Sequence, residues 1–234
     1  MELVFLDTET TGNDTTKDRL CQVCYKIKDK TRVGFFKPPI PMSVKSMSIT
    51  HITNKELSDK EAFAGSAFRK ELEPILEKNV LVAHNAKFDI AILKAEGVAV
   101  PHFICTLRLA RHLDSENVIP EYNLQFLRYY LDLDVKAHPH DAEGDVEVLS
   151  AVFDRLFAKM KEKIPDEKQA IEKMIEISKT PSLFTQFNFG KYKEKRLDEV
   201  VKTDRRYLEW LLKEKMTNNA DDEDWIYTLG YYLK

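Results

Sequence analysis

Four carboxylates and one imidazole stand in the order Asp7, Glu9, Asp89, His140 and Asp145, and their spacing is that of side chains gathered from separate elements. Such a set suits hydrolysis of a phosphodiester assisted by two divalent ions. Held roughly 3.5–4 Å apart, these activate an attacking water and stabilise the leaving oxygen of an in-line displacement. Hard oxygen ligands without thiolate favour Mg²⁺ or Mn²⁺ over zinc. His140 is the natural general base, because an unperturbed imidazole titrates near neutral pH. His138 competes for that role, but it precedes Pro139 and lies farther from Asp145 in sequence.

The elements that must position these groups are legible in the apolar pattern. Residues 3–9 read as a strand apolar on both faces, hence central, with Leu3, Phe5, Asp7 and Glu9 on one side. An acid pair at the exit of such a strand is costly to keep ionised unless cations or donors face it. Val80 to Ala83 is a short buried strand, and His84-Asn85 occupy the turn into a helix over Ala86 to Glu96 that stops at Gly97. Asp89 lies in that helix's first turn, on the stripe of Ile92 and Leu93, aimed toward the sheet. Asp145 stands at the edge of a long helix whose core face is Val146, Leu149, Phe153, Leu156 and Met160.

Around these, Leu20 to Ile27 and Thr31 to Lys37 read as two further strands of a meander, and Phe103 to Cys105 as another. Pro38, Pro39 and Pro41 forbid regular structure. Ser48 to Ile52 reads as a loop, Thr53 to Glu56 as a capping box, and Ser66 to Lys78 as a helix containing Pro74. Thr106 and Asn123 cap two helices. From Leu183 the character changes: Phe184, Phe187 and Phe189 alternate as an aromatic strand, and Lys191 to Arg206 counts seven Lys or Arg against four Asp or Glu. The expected division is a domain over 1–165, a connecting helix over 166–180 and a small α+β module over 181–234. A formal charge of −3 shows no global basic surplus, so any polyanion must be held locally. Cys21, Cys24 and Cys105 are too few for a disulfide framework, and the first pair reads as buried thiols on opposite faces of a strand. The first apolar run is too short for a signal peptide or membrane span, and a cytoplasmic protein without membrane association is expected.

Three stretches, L-D-T-E-T-T-G, H-N-A-K-F-D and H-D-A-E-G-D, resemble the motifs of the DEDDh, or DnaQ-like, 3′-to-5′ exonuclease superfamily. S-I-T-H-I-T, I-C-T-L-R-L-A-R and P-S-L-F-T-Q-F-N-F-G-K-Y extend the likeness toward its exodeoxyribonuclease X branch. The residue after His140 is acidic where a basic one is often seen. The resemblance implies an α/β, RNase H-like fold, with a mixed five-stranded sheet flanked by helices. It also implies Asp7, Glu9, Asp89 and Asp145 as ligands of two Mg²⁺ or Mn²⁺ ions, with His140 as base. The substrate would be DNA with a free 3′ end, and the products nucleoside 5′-monophosphates released in repair or end processing. An RNA-trimming enzyme and a non-catalytic repair or replication module are the alternatives. Thr10, Thr11, Gly12, Asn13, His84 and Asn85 are expected to hold the terminal nucleotide, and Lys191, Lys193, Lys195 and Arg196 to touch the DNA backbone.

Overall fold

The strand carrying the first two acids, β1 (Leu3–Thr10), is central to a five-stranded sheet. In the computed structural model, which describes residues 1–136, 141–218 and 222–234, the sheet runs in the order β3-β2-β1-β4-β5. Here β2 is Leu20–Ile27, β3 Lys30–Phe35, β4 Val80–Ala83 and β5 Phe103–Cys105. β1 pairs antiparallel with β2 and parallel with β4, and β4 pairs parallel with β5, so the sheet is mixed. A register shift between Glu9 and Thr10 breaks the β1–β2 ladder just beyond the acids. Such a bulge bends the chain and re-aims the side chains beside it.

Each face of the sheet is covered, as strands apolar on both sides require. On one face Val4, Leu6, Leu81 and Ala83 pack with α3 (Ala67–Lys78) and α4 (Lys87–Ala95). On the other, Phe5, Val80, Val82 and Ile104 meet four helices. These are α5 (Thr106–Leu113), α6 (Leu124–Tyr130), α7 (Ala142–Lys163) and α8 (Glu167–Lys179). Phe153 of α7 meets Phe5 edge to face at 5.4 Å, fixing the helix over the strand that bears Asp7 and Glu9. Pro74 sits inside α3, as expected. Gly97 has φ +79°, the left-handed helix end that its sequence position predicts.

Three expectations need correction. Ser48 to Ile52 is not a loop, because a helix α1 (Val44–Thr50) begins at the Ser43 cap and ends at His51 in the left-handed region. It precedes α2 (Asn54–Leu57), whose capping box is present. The segment 166–180 is no free connector: Ala170, Met174 and Ile177 of α8 are buried in the second core. The chain accordingly divides into one unit of Met1–Leu113 with Ile119–Ser178, and another of Asp114–Val118 with Lys179–Lys234. Finally, the second unit has no strand among its described residues. Phe184 to Phe189 forms a single bridge, Gln186 to Arg196, and the helices that follow are α9 (Leu197–Thr203), α10 (Arg205–Asn218) and α11 (Glu223–Tyr232). Its phenylalanines wrap Trp225 instead of pairing in a sheet: Phe187 stacks on the indole at 5.4 Å and Phe189 meets it edge-on at 4.9 Å. Among the described residues no helix is long and apolar enough to cross a membrane.

Candidate active site

Asp7, Glu9 and Asp145 converge. Each offers a carboxylate oxygen lying within 4.8 Å of the other two. The first two stand on the α7-facing side of β1, and the third comes from the first turn of α7. Asp89 reaches the site from the opposite layer. It lies in the first turn of α4, is buried, and accepts a hydrogen bond at 2.8 Å from the hydroxyl of Thr8, a residue on the other side of β1. It therefore stands outside the tight three-carboxylate group while remaining close enough to act on it electrostatically.

The protonation chemistry reports the crowding. Burial pushes the Asp7 carboxyl well above its ordinary range, with the charges of Asp89, Glu9, Asp145 and Asp141 adding to it. Glu9 is raised to about 8, by burial first and then by Asp145, Asp89 and Asp141. Asp89 is raised to about 7 by burial, against the opposing hydrogen bond from Thr8. Acids pushed upward together in this way resist sharing their negative charge, and positive charge entering among them favours the ionised forms. The donors are all hard carboxylate oxygens, a set that fits Mg²⁺ or Mn²⁺. The cysteines do not compete: all three are buried, and the thiols of Cys21 and Cys24 are pushed up to about 12 by burial first.

Two supporting residues were not singled out in the sequence. Gln22 is the cross-strand partner of Glu9, fully buried, and its amide donates to the Asp141 carboxylate at 3.0 Å. Its carbonyl oxygen accepts from the Ala142 N–H at 3.4 Å, so β2 grips the first residues of α7. The signal was available: a glutamine between Cys21 and Val23 is a polar residue inside an apolar strand. Gln125 of α6 donates to Asp145 at 2.7 Å, and no spacing rule points to it.

The expected nucleotide contacts divide. Thr10 donates its hydroxyl to the Gly12 carbonyl, and Thr11 donates to Asp18 at 2.7 Å, so both side chains are engaged inside the loop. A Cβ at Gly12 would lie 2.4 Å from the Asp18 carboxylate and force it to shift, so the close approach that Gly12 permits is to the chain itself. His84 is committed as well. One ring nitrogen lies 2.9 Å from the Thr106 hydroxyl, the other 2.7 Å from the Tyr122 carbonyl, and burial lowers its pKa to about 4. Since a carbonyl only accepts, Nε2 carries the proton and Nδ1 accepts from Thr106. Asn13 and Asn85 are exposed, Asn85 with φ +58°. In the helical unit, Lys191 pairs with Asp204 at 2.9 Å and Arg196 with Asp198 at 3.0 Å, while Lys193 and Lys195 are exposed. His138 and His140 lie outside the described residues.

A family model described as exonuclease matches residues 4–153, a span that holds the whole site. The chain belongs to that exonuclease family. A second model, described as exodeoxyribonuclease X-like C-terminal, matches residues 187–215 within the helical unit. Exodeoxyribonuclease 10 of Escherichia coli strain K12 is 30% identical over 206 residues, covering 85% of this chain and 82% of the relative. The PolC-type DNA polymerase III of Caldanaerobacter subterraneus subsp. tengcongensis is 30% identical over 171 residues. That match takes in 69% of this chain but only 12% of the polymerase, so the chain spans a small part of that relative. Among solved structures, exonuclease X in complex with 5′-overhanging duplex DNA superimposes with a TM-score of 0.59 at 24% identity, covering 75% of this chain and 99% of that one.

Proposed function

We propose that this exonuclease is a metal-dependent 3′-to-5′ exodeoxyribonuclease that removes nucleoside 5′-monophosphates from DNA with a free 3′ end by a two-metal mechanism. The observation that carries the reading is the meeting of Asp7, Glu9 and Asp145 within 4.8 Å, in a chain that matches exodeoxyribonuclease 10 over most of its length. In this reading those three carboxylates, with Asp89 beside them, would hold two Mg²⁺ or Mn²⁺ ions, which when bound would supply Lewis-acid stabilisation of the phosphoryl oxygens and lower the pKa of the attacking water. His140 takes the proton that water loses. The new bond joins the water oxygen to phosphorus, and the bond to the preceding nucleotide's O3′ breaks, leaving the phosphate on the 5′ carbon of the released unit.

Because the side chains of Thr10, Thr11 and His84 are engaged within the protein, contacts to the terminal nucleotide fall to backbone groups of the Thr10–Asn13 turn and to the exposed Asn13 and Asn85. Repair or end processing is the cellular role proposed, on the strength of DNA-end chemistry alone. Matched DNA and RNA oligonucleotides of one sequence, digested separately and in competition with Mg²⁺, test the substrate class. DNA should be degraded at least tenfold faster; equal or faster loss of RNA would assign the site to RNA trimming instead. His140→Ala should lower the DNA rate by roughly 10²–10⁴-fold, the range of a general base.

A further inference from the structure

Asp145 does not stand alone behind the site. Gln125 of α6 donates an amide hydrogen to its Oδ1 at 2.7 Å, and Gln125 in turn accepts at Oε1 from the Arg128 guanidinium at 3.3 Å. The order of this chain fixes the orientation of the glutamine. A guanidinium only donates, so the carbonyl oxygen must face Arg128 and the NH₂ must face the aspartate. Arg128 is itself buried and donates to the Val135 carbonyl, which anchors the relay to the backbone following α6.

We propose that Gln125 is a positioning residue for the Asp145 carboxylate, holding its orientation toward Asp7 and Glu9, where the cations would bind; this rests on the metal-dependent reading above. The choice of a glutamine has a physical reason. An arginine or lysine placed directly on Asp145 would neutralise it and compete with a divalent ion, whereas a neutral amide orients the carboxylate and leaves its charge available. Arg128 then polarises that amide from one hydrogen bond away, outside the acid cluster. Partners of this kind, bonded to a ligand but not to the metal, hold the ligand's orientation, and their loss weakens metal binding by roughly 10–100-fold. A purely structural reading would make Gln125 a tie between α6 and α7, helices already joined by the apolar contacts of Leu127, Leu149 and Val152.

The test is Mn²⁺ binding to the substrate-free full chain, followed by the metal's electron spin resonance signal or by calorimetry, in the parent and in Gln125→Met. Methionine keeps the volume and removes the donor. The parent should bind Mn²⁺, and the variant should bind about tenfold or more weakly while melting in chelator within a few degrees of the parent. Should Gln125→Met not fold, Gln125→Asn, polar but one methylene short of the carboxylate, carries the same expectation. A parent that binds with a variant that binds equally well overturns this role alone, whatever the variant's melting temperature. A parent that binds no Mn²⁺ overturns it together with the metal-dependent reading.

Discussion

At the scale of the residue, the decisive fact is that Asp7, Glu9 and Asp145 are held together against their own repulsion. Neutralising one should relieve the others. Asp7→Asn, Glu9→Gln and Asp145→Asn are therefore each expected to abolish Mg²⁺-dependent nucleotide release while melting at or above the parent in chelator; calorimetry and a nuclease assay on the same preparations check both halves. His84 gives a pH-dependent counterpart. Its pKa is down from 6.5 to about 4 in the folded chain, with burial as the leading cause. Between those values the unfolded chain binds the proton and the folded chain does not, so stability falls as pH drops through the window and is fully present above 6.5. At about 1.4 kcal/mol per unit the loss is on the order of 3 kcal/mol. His84→Gln should remove that component, seen as a change in the difference between parent and variant urea-unfolding free energies, on the order of 3 kcal/mol between pH 6.5 and 4, with the parent losing relative to the variant as pH falls. The acids were legible in the sequence because strand alternation assigns Asp7 and Glu9 to one face. The engagement of His84 was not, since its partners Thr106 and Tyr122 meet it only through the tertiary fold.

At the scale of the element, the sheet works by placing a bulged strand end under a helix N-terminus. β1, β2 and β4 carry strong alternating or fully apolar patterns, and their positions follow from the sequence almost residue for residue. The aromatic segment of the second unit misled because Phe184, Phe187 and Phe189 have strand periodicity, yet their burial is satisfied by Trp225, far along the chain in helix α11. The helix α8 was expected over its observed span, but its burial in the second core was not, because the residues that cover its face come from other elements. Its last turn is bonded into the sheet. The Ser178 hydroxyl accepts from the Cys105 N–H of β5 at 2.8 Å and donates to the Met174 carbonyl at 2.7 Å, all buried. Ser178→Ala leaves that amide without its acceptor and should cost about 1–3 kcal/mol of stability, as buried unpaired groups do. Chemical denaturation measures it, and an unchanged midpoint would return α8 to the role of a linker.

At the scale of the whole molecule, the acidic sum of −3 means that the DNA proposed as substrate would be held by local groups. Of the four expected backbone contacts, all exposed, Lys191 and Arg196 also sit in surface ion pairs with Asp204 and Asp198, so Lys193 and Lys195 are the pair on which the proposal is tested first. If each meets one phosphate, replacing both with alanine should flatten the plot of log affinity against log salt by about 1.8, at roughly 0.9 per duplex phosphate. A slope that does not move would make the helical unit's basic stretch a solvated face. The account's central claim is tested most directly by following a DNA strand labelled at its 5′ end in Mg²⁺, in chelator and with Asp145→Asn. The account predicts a ladder that shortens one nucleotide at a time from the 3′ end in Mg²⁺, with label retained on every intermediate, and an intact strand in the other two. Immediate release of labelled mononucleotide, internal cuts, or shortening that persists in chelator would contradict it.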